Sequence, residues 1–391
     1  MNYNEVLRLL KRHGCAHLPT ARRHLIRFRS RKEFRRFITQ LKAFGTGLAE
    51  KAGVLPISIM DSVICTLSHW PKHFHHRGIR YVEEDALMKV HFEIPNPTAQ
   101  SHPVIPWGIR QIRAHRVWHH TIGSAVRIGV IDTGADFRHP DLKHALAHGV
   151  NLLRRGELPI DDNGHGTHIS GTIAAYSSSG IVGTAPGAIL YPVKAFDRNG
   201  SAYVSDIVQG IDWCVRHGIR LINMSFGMKQ QSRALRDAVK SACRAGAILV
   251  CSAGNDGSKK KVDYPARYPD TISVGATDRQ RTLARFTNRG KHVDIYAPGS
   301  RIHSTWPGHR YMKLSGTSMS TSHVTGALAL ALAIHPDWDL HDIRRLLAKA
   351  SVAVKKGGKI GAREIHVPLL IKYARKRAAT SSRHQQKKAK R

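Results

Sequence analysis

The sequence is short of acidic residues and has no long hydrophobic run. It contains 27 aspartates and glutamates against 62 lysines and arginines, which gives a formal net charge of +35 at pH 7. The apolar stretch at residues 326–334 is far shorter than the roughly 20 residues that a membrane-spanning helix needs. Residues 1–12 lack the apolar core of a secretory signal peptide, so the sequence indicates no route of export. We therefore expect no transmembrane segment, and a surface that attracts anionic polymers or membranes.

Cysteine is scarce and follows no ligand pattern. There are five cysteines, at positions 15, 65, 214, 243 and 251, and no two of them form a CxxC pair. An odd count without paired spacing argues against a disulfide framework and against a zinc site. We expect buried free thiols instead.

The chain of 391 residues suits one large domain with a smaller one before it. Residues 1–92 alternate between strand-like segments at 21–28, 57–67 and 78–84 and a helical pattern at 32–44. A strand–helix–strand–helix–strand order predicts a small α+β domain of the ferredoxin-like type. Residues 93–105 are rich in proline and form a linker.

Residues 106–373 predict an α/β domain. Apolar, β-branched runs at 126–131, 188–196, 219–225, 247–252 and 271–276 alternate with helical patterns at 165–176, 204–217, 232–245 and 318–334. This alternation indicates a doubly wound, mostly parallel sheet with helices on both faces. Residues 374–391 are polar and basic, and we expect a disordered tail there.

Two polar motifs follow predicted strands. Asp132-Thr133-Gly134 comes directly after the strand at 126–131. Sites in doubly wound sheets form at the carboxyl ends of strands, although this motif alone would also suit an ordinary turn. Asn255, in the segment Ser252-Ala253-Gly254-Asn255, follows another buried strand, where its amide could donate to an oxyanion or simply make a turn.

Two further motifs begin predicted helices. His165 lies in Asn163-Gly164-His165-Gly166-Thr167-His168, where its flanking glycines would leave room for a substrate backbone and its ring would be exposed. Metal binding by the two histidines is the weaker interpretation, because no acidic partner of the HExxH type accompanies them. Ser318, in Gly316-Thr317-Ser318-Met319-Ser320, lies at the positive end of a helix dipole, or merely caps that helix.

Taken in order, these four motifs resemble the signatures of the subtilisin family, whose triad has the order Asp, His, Ser. The resemblance covers roughly residues 106–352. It implies a serine endopeptidase that works through an acyl-enzyme and needs no cofactor for its chemistry. Asp132, His165 and Ser318 would be the catalytic triad, and Asn255 would complete the oxyanion hole.

The resemblance also implies where a peptide substrate binds. Gly200-Ser201-Ala202 and Ser225-Phe226-Gly227 would be two backbone rails, with Ser252-Ala253-Gly254 beside them. Asp263 would lie near the floor of the specificity pocket, where it could pair with a Lys or Arg before the scissile bond. Alternatively, Asp263 faces solvent and is neutralised by the lysines at 259–261.

Residues 1–92 resemble the propeptide of that family, notably at Tyr81-Val82-Glu83-Glu84-Asp85. The resemblance implies a secreted, monomeric enzyme, whereas the sequence itself leaves a cytoplasmic location open. It also implies a self-processed precursor that its own propeptide inhibits and that is cut between about His91 and Pro106. Structural calcium near Asp141 stays open, because the adjoining loop at 176–182 offers three serines and a glycine. The alternatives are a catalytically silent relative and a polyanion-binding protein.

Overall fold

The computed structural model describes residues 2–16, 21–45, 47–71, 73–90, 104–355 and 361–377. Most of the predicted processing segment and most of the predicted tail lie outside these residues. Among the described residues, no helix is long and apolar enough to cross a membrane. All five cysteines are free thiols, and Cys65, Cys214 and Cys251 are buried.

The N-terminal region forms a four-stranded antiparallel sheet in the order β2-β3-β1-β4. Helix α2 packs Phe34, Phe37 and Leu41 onto one face of this sheet, as their helical spacing predicts. Its elements are α1 (Asn4–His13), β1 (Arg22–Phe28), α2 (Arg31–Ala43), α3 (Leu48–Lys51), β2 (Leu55–Ile57), β3 (Ser62–Leu67), β4 (Ile79–Glu84) and β5 (Leu87–Lys89).

This strand order and these directions are those of a ferredoxin-like sheet, but the helices differ from the prediction. The expected helix between the last two strands is absent from the described residues that join β3 to β4. Helix α1, which was not predicted, packs Val6, Leu7 and Leu10 into the same core as α2. The sheet is thus covered by two helices, although one of them precedes β1.

The larger region contains a nine-stranded sheet in the order β16-β17-β13-β12-β11-β10-β6-β8-β7. All pairings between β13 and β7 are parallel, and only the edge pair β16–β17 is antiparallel, so the predicted fold class is confirmed. Its strands are β6 (Arg127–Asp132), β7 (Val150–Asn151), β8 (Ile189–Lys194), β9 (Ser201–Tyr203), β10 (Leu221–Met224), β11 (Ile248–Ser252), β12 (Ile272–Thr277), β13 (Ile295–Pro298), β14 (Ile302–Trp306), β15 (Arg310–Leu314), β16 (Ser351–Ala353) and β17 (Arg363–Ile365), of which β9, β14 and β15 lie outside the sheet.

Helices cover both faces of the large sheet. Alternate residues of its strands face two separate cores, one shared with α5, α8 and α9 and the other with α6 and α7. All 16 residues of α8 are buried, which its small side chains permit. The helices are α4 (Trp107–Gln111), α5 (His165–Ala174), α6 (Val204–Arg216), α7 (Arg233–Arg244), α8 (Thr317–Leu332) and α9 (Leu340–Lys349), followed by α10 at 367–377.

The sheet of the N-terminal region rests on helices α6 and α7. Leu25, Ile57 and Ile64 from its free face, with Met60 from the turn between β2 and β3, join the core of those two helices. Glu83 accepts hydrogen bonds from the first backbone N–H groups of α7, at 2.9 Å and 3.2 Å. A carboxylate there complements the positive end of the helix dipole.

The predicted boundary of the basic tail is wrong by several residues. Ala374 is fully buried within helix α10, beside Leu370 and Ile371, and the helix continues to residue 377. The apolar residues of α10 form a face that packs against the core of the large domain. The prediction of disorder relied on the high positive charge of this segment and did not take these apolar residues into account.

Candidate active site

Asp132 and His165 meet at the carboxyl end of β6. Strand order reverses at β6, whose neighbours are β8 on one side and β10 on the other, and ligands bind at such switch points. His165 Nδ1 lies 2.7 Å from Asp132 Oδ1, and both side chains are fully buried. The carboxylate also accepts a 2.8 Å hydrogen bond from the backbone N–H of Thr133, which fixes its orientation.

Asp161, which was not predicted as a site residue, organises the start of helix α5. Its carboxylate accepts hydrogen bonds from the backbone N–H groups of Asn163, Gly164 and Thr167, at 2.8–3.0 Å. It also accepts a 2.8 Å bond from the hydroxyl of Thr133, next to Asp132. Asp161 therefore ties the segment that carries His165 to the segment that carries Asp132. The sequence does contain a signal for this role, because an Asp shortly before the start of a helix can accept hydrogen bonds from the first backbone N–H groups.

The glycines beside His165 make room for the protein itself, not for a substrate backbone as predicted. A Cβ on Gly164 would lie 2.3 Å from the ring of Trp306, and one on Gly166 would lie 2.1 Å from the carbonyl oxygen of Gly134. Gly164 also has a φ of +112°, which glycine adopts without strain. The ring of His165 lies at the helix start as predicted, but it is buried rather than exposed.

His168 is buried, and its ring contacts the backbone of two neighbouring strands. Its Nε2 lies 2.9 Å from the carbonyl oxygen of Ile302, and burial lowers the pKa of the ring to about 3. Among the residues that the structure describes, no group of three or more His, Cys, Asp or Glu side chains could hold a metal ion.

Ser318 occupies the first turn of α8, as predicted, and is 3% exposed. Its Oγ donates a 2.8 Å hydrogen bond to the carbonyl oxygen of Ser225. The hydroxyl of Ser225 donates in return to the carbonyl oxygen of Ser318, at 3.2 Å. The start of α8 is thereby fixed against the end of β10.

Asn255 lies beside Ser318 on the same cavity. Its Oδ1 accepts 2.9 Å hydrogen bonds from both the backbone N–H and the hydroxyl of Thr317. Because Oδ1 is held by Thr317, the amide group has one fixed orientation, with its N–H donors on the opposite side. The hydroxyl of Thr317 also accepts from the backbone of Gly254, so two predicted segments, 252–255 and 316–320, meet here.

The groove between the two predicted rails already contains a strand from the N-terminal region. Strand β5 pairs antiparallel with β9, with Met88 opposite Ala202 and Lys89 opposite Ser201. Lys89 also forms an antiparallel bridge with Gly227 of the second rail. The backbone N–H of Val90 donates to the carbonyl oxygen of Gly200, at 2.9 Å. The chain thus crosses the groove as a third strand between the rails.

A cavity of about 260 Å³ adjoins this groove and brings together most of the predicted substrate-binding residues. Gly200, Ser201 and Ala202 do not line it, because they pair with β5 in the groove. Ala253 does not line it either, since it is fully buried and its backbone pairs with Val274 and Asp263. Asp263 lies in the cavity wall and does not face solvent. The lining residues are Lys89, Ser225, Phe226, Gly227, Lys229, Ser252, Gly254, Asn255, Asp256, Asp263, Thr317 and Ser318.

The predicted calcium ligand Asp141 has protein donors instead. Its Oδ2 accepts 2.9 Å hydrogen bonds from the backbone N–H of Ile181 and from the hydroxyl of Tyr311. The hydroxyl of Ser177 accepts from the backbone of Ser179 and Gly180, so it closes the short loop on itself. Asp141 Oδ1 is buried without a hydrogen-bond partner among the described residues, and calcium would need six to eight oxygen ligands around it.

Comparison with known proteins agrees with this geometry. A sequence model of the subtilase family matches residues 123–383. An alkaline protease of Alkalihalobacillus alcalophilus is 40% identical over 279 residues, which cover 71% of this chain and 70% of that protein. Subtilisin E of Bacillus subtilis is 42% identical over 273 residues, 68% of each chain, and subtilisin Savinase of Lederbergia lenta is 40% identical over 252 residues, 64% of this chain and 92% of that protein. The chain therefore belongs to the subtilase family of subtilisin-like serine endopeptidases.

Proposed function

We propose that Asp132, His165 and Ser318 are the catalytic triad of this endopeptidase. A serine hydroxyl is a weak nucleophile until a base accepts its proton. The observation that carries the proposal is the buried 2.7 Å contact between His165 Nδ1 and Asp132, because it leaves Nε2 as the ring atom that can exchange a proton. Attack requires the Ser318 hydroxyl to turn from the carbonyl of Ser225 to His165.

The backbone N–H of Ser318 and the amide of Asn255 would bind the oxyanion. Both lie beside the cavity, and the N–H belongs to the first turn of α8, where the helix dipole favours negative charge. After the amine product leaves, water would attack the acyl-enzyme with His165 again as the base. The chemistry needs no cofactor.

We further propose that residues 1–92 are an inhibitory propeptide. Strand β5 occupies both rails with the backbone pairing that an extended peptide substrate would use. A substrate cannot enter while β5 is bound, so the precursor would be inactive on other proteins. The release cut would fall between about His91 and Pro106, a segment that lies mostly outside the described structure.

Replacement of the nucleophile tests the triad and the processing together. Ser318→Ala is expected to abolish peptide hydrolysis and to leave a full-length precursor, whereas the wild type expressed alone matures. Thr325→Ala is a control from the same helix, because it removes a buried hydroxyl that bonds Asn223 and does not line the cavity. A Ser318→Ala chain that still matures alone would contradict self-processing.

A second property, binding of anionic polymers, is favoured by a concave basic patch. The patch is an open cavity of about 550 Å³ between the segment at 116–120 and helix α10. Arg375 Nη1 donates to a ring nitrogen of His120 at 2.9 Å, so the imidazole is neutral in this contact and the charge of the patch comes from its arginines and lysines. The patch consists of Arg116, His120, Lys372, Arg375 and Lys376, with the apolar residues Val117, Pro368 and Ile371. Arg116→Gln with Arg375→Gln should elute from heparin at lower salt than wild type; unchanged elution would contradict a role for the patch.

A further inference from the structure

Lys229 bridges two carboxylates at the mouth of the cavity beside Ser318. It lies in the loop between β10 and α7, 34 positions before Asp263, and its Nζ lies 2.9 Å from one oxygen of that carboxylate and 3.2 Å from the other. The same ammonium contacts a carboxylate oxygen of Asp256. The side chain of Lys229 is 59% exposed, whereas that of Asp263 is 8% exposed. An exposed cation at the surface thus neutralises an acid inside the cavity.

Asp263 is held in the wall by close packing. A Cβ on Gly254 would lie 2.4 Å from Asp263 Oδ2, and one on Gly227 would lie 2.9 Å from its Cβ. Asn288 Nδ2 donates to Asp256 at 3.2 Å and approaches Asp263 at 3.4 Å. The two carboxylates therefore share one amide and one ammonium, and their positions do not depend on Lys229 alone.

We propose that Lys229 is a specificity-determining residue that competes with a basic substrate side chain for Asp263 and Asp256. This rests on the proposed function and on the expectation from the sequence that Asp263 lies near the floor of the specificity pocket, which receives the side chain before the scissile bond. A substrate Lys or Arg must displace the resident ammonium before it reaches the carboxylates. A neutral side chain meets no such competitor. With Lys229 in place, the pocket favours neutral side chains despite its two acids.

Removal of the Lys229 charge should reverse this preference. Peptides that differ only in Arg or Leu before the cut give the ratio of their kcat/KM values. Lys229→Met is expected to raise the Arg/Leu ratio about ten- to a hundredfold, the range for a charge-assisted hydrogen bond in a partly buried site. Lys229→Arg keeps the charge and should leave the ratio near that of wild type.

Two matched variants separate this mechanism from a general charge effect. Lys259→Met removes an equal charge from a neighbouring loop and should not change the ratio. Adding Asp263→Asn to Lys229→Met should remove most of the gain, because the buried acceptor is then neutral. Hydrolysis of the Leu peptide by Lys229→Met confirms that this variant folds, and Lys229→Gln repeats the test if it does not.

An Arg/Leu ratio in Lys229→Met and Lys229→Gln no higher than in Lys259→Met would overturn the proposal and leave the triad untouched. A gain that persists in the double variant would also overturn it, since the acid would then be irrelevant. A mature wild type that cleaves neither peptide would refute the proposed function, and this inference with it.

Discussion

Asp85 should make the affinity of the N-terminal region for the protease domain depend on pH. Its carboxylate lies at the interface, where it accepts a 2.9 Å hydrogen bond from the backbone N–H of Ser205 and lies 3.3 Å from Arg23. Burial raises the pKa of Asp85 from its ordinary value of 3.8 to about 6, although Arg23 acts in the opposite direction. The Asp85 carboxyl group therefore binds its proton more tightly when the N-terminal region is docked than when it is undocked.

The direction and the size of this pH effect follow from the linkage between proton binding at Asp85 and docking. Docking is strongest below the ordinary pKa, weakens as the pH rises toward about 6, and levels off above that value. A shift of roughly two pKa units corresponds to a loss of about 10² in affinity, or about 3 kcal/mol. About tenfold of that loss should fall between pH 5 and pH 8, and the rest below pH 5.

The assay is inhibition of the mature enzyme by the separate 1–92 segment. We expect its Ki to rise about tenfold from pH 5 to pH 8. Asp85→Asn keeps an oxygen to accept from Ser205 but does not titrate, so its Ki should stay nearly constant. A Ki that is constant or falls with rising pH for the unmutated segment would refute this reasoning, as would an equal rise in Asp85→Asn.

Three further predictions follow from the site and the termini. Asn255→Ala should lower kcat about 10²–10³-fold with little change in KM, the known cost of one oxyanion donor in a subtilisin; a loss confined to KM would contradict the role. Gly166→Ala should reduce both the midpoint of thermal unfolding and the activity, because its Cβ would lie 2.1 Å from the Gly134 carbonyl oxygen. An unaltered melting curve would contradict this, since it would mean that the backbone moves to accommodate the methyl group at no cost in stability. Truncation after Arg377 should preserve hydrolysis and lower the salt needed for elution from heparin, whereas truncation after His366 should unfold the protein because it removes buried Ile371 and Ala374.

The large sheet was predictable because its strands are contiguous apolar runs. The predicted strand at 126–131 corresponds to β6, and the predicted helix at 318–334 to α8, with small errors at their ends. Helix α1 was not predicted, although its buried residues Val6, Leu7 and Leu10 have helical spacing, so local periodicity indicates this element as well.

The surroundings of the site were less predictable because they depend on contacts between distant segments. The sequence indicated the lysines at 259–261 as partners that could neutralise Asp263, but the ammonium that contacts it belongs to Lys229. Asp161 likewise acts through Thr133, which lies 28 positions earlier. No local pattern indicates such pairs, since each depends on the folded positions of two loops.

Labelling of Ser318 tests the central claim most directly. The purified mature protein would be treated with a fluorophosphonate, which reacts with activated serine hydroxyls, and the modified peptide would be identified by mass spectrometry. The account predicts one label, on Ser318, which disappears in Ser318→Ala and is strongly reduced in Asp132→Asn. Hydrolytic activity with a label on another serine, or with Ser318 unmodified, would contradict it.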